Sequence, residues 1–173
     1  MLLVYVLRRR AKTFYALGFD PAWKDVGWSV LLFLGGNVAF IAAYYAIYFA
    51  GALAGANAAV GSIGRQMFAG GFSIVTFLAL VLNPFVEELI VRAYVMTEVR
   101  RLTGSAVLAI VTSVLIQVAY HLYQGVPLAI SYGATFIVFS LYYHKTKRIF
   151  PVILAHLYSD LYAGLYYMLK TQA

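Results

Sequence analysis

Glu87, Glu88, Arg92, His121, His156 and Asp160 stand inside otherwise apolar stretches of this 173-residue chain, and their types and spacing suit chemistry. A charged side chain facing lipid costs at least about 2–3 kcal/mol, so these groups are expected to face one another or a wet cavity. Glu88 and Arg92 are four residues apart and share a helical face, which makes them an ion pair. Glu87 is turned by about 100° from Glu88 and is left free to point elsewhere. It is therefore the candidate general base, a carboxylate able to take a proton from water. His156 and Asp160 share a face at the same spacing, so Asp160 can orient or charge the imidazole, or donate a hydrogen bond if protonated. The chain has no cysteine, which excludes thiol nucleophiles, disulfides and zinc-thiolate sites. Ser159 has no base at a useful spacing, which argues against serine-protease chemistry.

The elements that position these residues must be membrane helices. The chain is 64% hydrophobic and 11% charged, with a mean hydropathy of +0.84, and a water-soluble fold cannot hide that much apolar surface. Five spans are predicted, at 28–50, 71–99, 105–123, 127–143 and 149–169, with a Gly/Ala-rich connection at 51–70. Asn83-Pro84 should kink or split the second, which is kept as one bent helix. No cleavable signal precedes them, since residues 1–7 form an apolar stub that runs into Arg8, Arg9 and Arg10.

The charge pattern gives an orientation. With the N-terminus inside, Arg8, Arg9, Arg10, Lys12, Lys24, Arg100, Arg101, Lys145, Lys147 and Arg148 are cytoplasmic, and Arg65 and Lys170 are outside. The expected fold is an all-α polytopic membrane bundle of five transmembrane helices, N-in and C-out. Its net charge of +7 lies between hydrophobic spans, so the partner it implies is the lipid bilayer and not nucleic acid. Residues 1–27 form a cytoplasmic or interfacial segment, and 28–173 form the transmembrane domain. Within the former, 13–27 carries Phe14, Leu17, Phe19 and Trp23 among charges, which suits either an interfacial helix or a juxtamembrane linker.

Depth brings the candidates together. At about 1.5 Å per residue, Glu87 lies roughly 20 Å from Arg100, His121 roughly 24 Å from Ser105, and His156 and Asp160 roughly 12 and 18 Å from Arg148. Three helices thus carry acids and imidazoles to overlapping levels.

These residues resemble a known family, the CAAX-protease and bacteriocin-processing (CPBP, or ABI) intramembrane proteases. The EExxxR motif appears as Glu87-Glu88-Leu89-Ile90-Val91-Arg92, the second-motif histidine as His121 in Tyr-His-Leu-Tyr-Gln-Gly, and HxxxN or HxxxD as His156-Leu157-Tyr158-Ser159-Asp160. The resemblance covers 71–169 and implies a glutamate-dependent endopeptidase of the cell membrane, bacterial or archaeal, acting on a membrane-associated, prenylated or leader peptide. It implies that Glu87 with His121 activates water and that His156 with Asp160 stabilises the tetrahedral intermediate, with Glu88 and Arg92 in support. Two positions depart from the family pattern: Gln117 replaces an aromatic residue, and Asp160 stands where asparagine is common. Ionised aspartate cannot stabilise an oxyanion, which leaves the role of Asp160 open. No cofactor is required on the favoured metal-free mechanism, while a zinc site built from Glu87, His121, His156 and Asp160 is the alternative. Two other functions compete: a non-catalytic membrane scaffold or immunity protein, and a proton-coupled carrier or channel, which the lack of internal repeats disfavours.

Overall fold

The computed structural model describes residues 13–50 and 73–171, and among them the regular structure is entirely helical. Five long helices follow one another: α1 (Lys24–Phe49), α2 (Ile74–Thr103), α3 (Ala106–Tyr120), α4 (Val126–Thr146) and α5 (Phe150–Thr171). Residues 1–12, the 51–70 connection with Arg65, and the Lys170 side chain lie outside the described parts.

The outer surface is that of a membrane protein. On α1, Leu31, Leu34, Val38 and Ile41 recur at helical spacing and are all exposed, as are Val107, Val111 and Leu115 on α3. Such stripes would face the core of a soluble protein; here lipid is their solvent. α1, α2 and α4 are each long and apolar enough to cross a bilayer. α3 has 15 residues, about 22 Å of helix against a hydrocarbon core of about 30 Å. It is shorter than that core, and it ends at Tyr120, next to the buried His121.

Where backbones approach closely, small residues permit it. Thr135 Oγ1 of α4 donates to the carbonyl of Gly36 on α1 at 2.8 Å, and a Cβ at Gly36 would sit 2.8 Å from Thr135 Cγ2. This is the small-residue packing that joins membrane helices without a hydrophobic driving force between them.

One end of the bundle is basic. Arg100 on α2 reaches His144 on α4 at 3.2 Å, and Arg148, between α4 and α5, makes a two-pronged contact with Asp25 at the start of α1, at 2.9 and 3.1 Å. The Asp25 carboxylate also accepts from the Ala22 N–H at 2.9 Å. Hydrogen bonding to Asp25 pushes the Arg148 pKa further above its ordinary value, so the cation persists at physiological pH. Lys24, Arg101, Lys145 and Lys147 belong to the same helix ends.

The segment 13–23 is a strap docked on the helix ends. It turns through a short 3-10 helix at Tyr15–Leu17, then bends at Gly18 with φ +80°. The Gly18 carbonyl accepts from Ile149 N–H at 3.0 Å, the Leu17 carbonyl accepts from the Tyr143 hydroxyl at 3.1 Å, and Phe19 meets Phe150 edge to face. Tyr15 and Trp23 remain exposed on it, which explains the amphipathic look of the sequence. A Cβ at Gly18 would collide with the Lys147 carbonyl oxygen, and the left-handed backbone strains any L-residue. Gly18→Ala is expected to cost about 2–3 kcal/mol and lower the thermal midpoint of the detergent-purified protein. A midpoint unchanged from wild type would show that the strap is not part of the folded unit.

Candidate active site

α2 is one helical run through Asn83-Pro84, and its irregularity comes four residues later than the sequence suggests. Glu88–Val95 is a π-helix, in which each backbone N–H reaches back five residues, not four. Burial follows that period: Glu87 and Glu88 are buried, and so are Arg92 and Ala93 five positions on. Both acids lie inside, Glu87 on the cavity and Glu88 away from its lining.

Glu88 is the deeper of the two and has two partners. Its Oε2 pairs with Arg92, as the four-residue spacing predicts, while its Oε1 accepts from His156 Nδ1 on α5 at 2.8 Å. The second contact adds to the sequence expectation, which paired Glu88 with Arg92. Arg92 is fully buried, donates from Nε to Ser140 Oγ of α4 at 3.2 Å, and lies over the rings of Phe136 and Phe139. The Glu88–Arg92 pair thus ties α2 to α4 and α5. Removing either partner would strand the other in a medium that cannot solvate it.

Glu87, His121, His156 and Asp160 all line one cavity of about 840 Å³ between the helices, and Glu88 and Arg92 lie behind its wall. Glu87 Oε1 accepts from Asn83 Nδ2 at 2.6 Å, whereas Oε2 is buried and makes no hydrogen bond among the described residues. His121 follows the last residue of the short α3, so the early end of that helix is what sets it at this level. Its Nδ1 lies 2.8 Å from the Gln117 carbonyl, and because a carbonyl only accepts, Nδ1 must carry the hydrogen. In the neutral ring, Nε2 is then the atom with a free lone pair. The imidazole packs on Tyr132 and Phe136, each with ring centroids 5.1 Å away.

His156 is held at both edges. Nδ1 donates to Glu88, and Nε2 lies 3.6 Å from Asp160 Oδ1, too long for a hydrogen bond and short enough for attraction. At Gln117, where the family pattern has an aromatic residue, the backbone carbonyl orients His121 while Tyr132 and Phe136 supply the rings. The Gln117 side chain is buried and unbonded to any described residue. Tyr162 lines the cavity, whereas Tyr158 packs against Phe33 of α1. Ser159 reaches the cavity wall, but its hydroxyl donates to the Ala155 carbonyl at 3.2 Å.

The zinc alternative can be tested against this arrangement. Among the described residues, no three His, Asp or Glu side chains gather as a ligand set. No step below is routed through a metal.

Sequence reasoning missed Asn83 as a member of the site, treating it only as the residue before a helix-perturbing proline. The signal was present: Asn83 precedes Glu87 by four residues, the spacing that correctly paired Glu88 with Arg92.

Fold and site together define a helical membrane protein in which acids and histidines from three helices share one intramembrane cavity. Residues 69–162, more than half of the chain, match the family model described as type II CAAX prenyl endopeptidase Rce1-like, and the chain belongs to that family. The matched stretch contains Glu87, Glu88, Arg92, His121, His156 and Asp160. No curated protein and no solved structure matches the chain. Family membership makes it a CAAX-type protease of the membrane, with the bilayer and a peptide as its partners.

Proposed function

We propose that this chain hydrolyses a peptide bond of a membrane-associated substrate through a water activated by Glu87, with no metal in the reaction. The observation that supports this most is the meeting of Glu87, His121, His156 and Asp160 on the wall of one cavity. A water held between the Glu87 carboxylate and His121 Nε2 would donate to both, leaving an oxygen lone pair for the carbonyl carbon. Glu87 takes the water proton as the C–O bond forms and delivers it to the departing amine as the C–N bond breaks. His156, in its doubly protonated form, offers Nε2–H to the oxygen of the tetrahedral intermediate. Glu88 holds that ring through Nδ1, and Asp160 lies at its other edge. The basic end of the bundle faces the cytoplasm, by the excess of Lys and Arg there.

The test is cleavage by the purified full chain in liposomes, using a fluorogenic prenylated CAAX-type peptide, its unprenylated twin and a leader-type peptide. Turnover of at least one, undiminished by strong chelation, is the expected result. A folded protein that cleaves none of them would favour the scaffold reading. Activity that vanishes on chelation and returns with zinc would overturn the metal-free route.

A further inference from the structure

The cavity has a closed end and an open one, and depth tells them apart. Measured along the helices from the basic end at about 1.5 Å per residue, its lining begins at Phe139 and His156, roughly 12 Å in. It passes Glu87 at roughly 20 Å and reaches Tyr44 and Thr76 at roughly 30 and 36 Å. Lining residues within roughly 18 Å of the basic end are all buried or half-buried. The exposed ones, Tyr162, Tyr120, Leu82 and Tyr166, lie roughly 21–27 Å in. Below the floor of the cavity, Leu17, Met96, Tyr143, Ile149, Val152 and Ile153 pack in one cluster, at most 3% of any of them exposed, and none lines the cavity. The strap docks over that cluster through Leu17 and Gly18. Water and peptide groups are not carried through packed apolar side chains, because their hydrogen bonds would go unmade there. A peptide entering sideways through lipid would meet the same penalty at every unpaired N–H and C=O. One direction is left, along the cavity and away from the basic end.

We propose that water and substrate reach this site from the membrane face opposite the basic end, which the distribution of Lys and Arg makes the non-cytoplasmic face. The inference rests on the cavity being the peptidase site, and it names the substrate class: a membrane-anchored or exported chain whose cleaved bond lies outside the cytoplasm. A tail presented at the cytoplasmic face would meet the closed floor instead.

Because the chain has no cysteine, single thiol reporters can be placed in it without background. Ala163 lines the cavity one turn beyond Asp160, and Thr103 is exposed where α2 finishes at the basic end. The full chain carrying Ala163→Cys or Thr103→Cys is treated with a membrane-impermeant maleimide in right-side-out and in inside-out membrane vesicles. A crossed pattern is expected: Ala163→Cys labels in right-side-out vesicles and loses that labelling in inside-out ones, and Thr103→Cys does the reverse. Labelling of both positions from one face would overturn the proposal. So would a cavity thiol reached from neither face, or a crossed pattern with the faces exchanged. Should Ala163→Cys fail to fold, Thr76→Cys, at the outer end of the lining, takes its place. The unprenylated and leader-type fluorogenic peptides are then added to both kinds of vesicle holding the wild-type chain, with vesicles lacking the chain as the blank. Turnover in right-side-out vesicles that is lost in inside-out ones is expected, and turnover confined to inside-out vesicles would overturn the assignment of the face. The crossed labelling without turnover on either face would remove the peptidase reading and leave the side of access standing, so the two fail separately.

Discussion

Glu87→Gln is expected to lower peptide cleavage by about 10²–10⁴-fold while leaving the fold intact, the range associated with losing a general base. The substitution is nearly isosteric, and Gln Oε1 can still accept from Asn83, so the 2.6 Å bond survives. What changes is basicity, because a carboxamide does not take a proton from water as a carboxylate can. Glu87 makes no ion pair among the described residues, so no buried cation there loses its partner and the thermal midpoint should move by only a few degrees. Cleavage assayed beside a thermal melt gives both readings. Wild-type turnover in this variant would end the proposal that Glu87 activates the water.

Glu88→Gln is expected to act in the opposite order, on the fold first. Glu88 stands between Arg92 and His156, and all three side chains are buried. Breaking a buried pair by removing one partner typically costs about 3–5 kcal/mol, because the remaining charge has nowhere to be solvated. Low yield, early melting and protease sensitivity are the expected signs. Loss of cleavage should accompany them, since His156 Nδ1 loses the acceptor that fixes its ring. The double change Glu88→Leu with Arg92→Met removes both charges and should recover much of the stability, yet no activity. A Glu88→Gln protein as stable as wild type but inert would exchange the roles assigned to the two glutamates.

The parts of the site legible in the sequence were those governed by rules that need no tertiary knowledge. Ionisable groups inside apolar spans must find one another, and Glu87, His121, His156 and Asp160 do share a cavity. A four-residue spacing pairs Glu88 with Arg92. The contact of His156 with Glu88 was not legible, because it depends on which helix α5 packs against. A constant 100° per residue gave Glu87 and Glu88 diverging directions; both are buried, and the deeper one meets the histidine. The five helices were visible from hydropathy, with ends shifted by a few residues. The sequence marks no short α3 as a device, since its apolar run continues past His121 through Leu122 and Tyr123, and only the structure shows the helix ending at Tyr120. The strap at 13–23 escaped because its docking rests on backbone carbonyls of Leu17 and Gly18, which leave little trace in residue type.

The placement of the Glu88–Arg92 pair within a single helix bears on how the protein enters the bilayer. A segment leaving the ribosome is weighed for insertion before later helices exist, and isolated central acids or arginines each oppose it by about 2.5–3.5 kcal/mol. α2 would present Glu87, Glu88 and Arg92 together. Because Glu88 and Arg92 lie one turn apart, they can neutralise each other as soon as α2 has coiled, well before His156 has been synthesised. His156 then arrives on α5 to an acid already anchored in place. The same pair that secures the finished bundle would thus act earlier as a passport for its most polar helix.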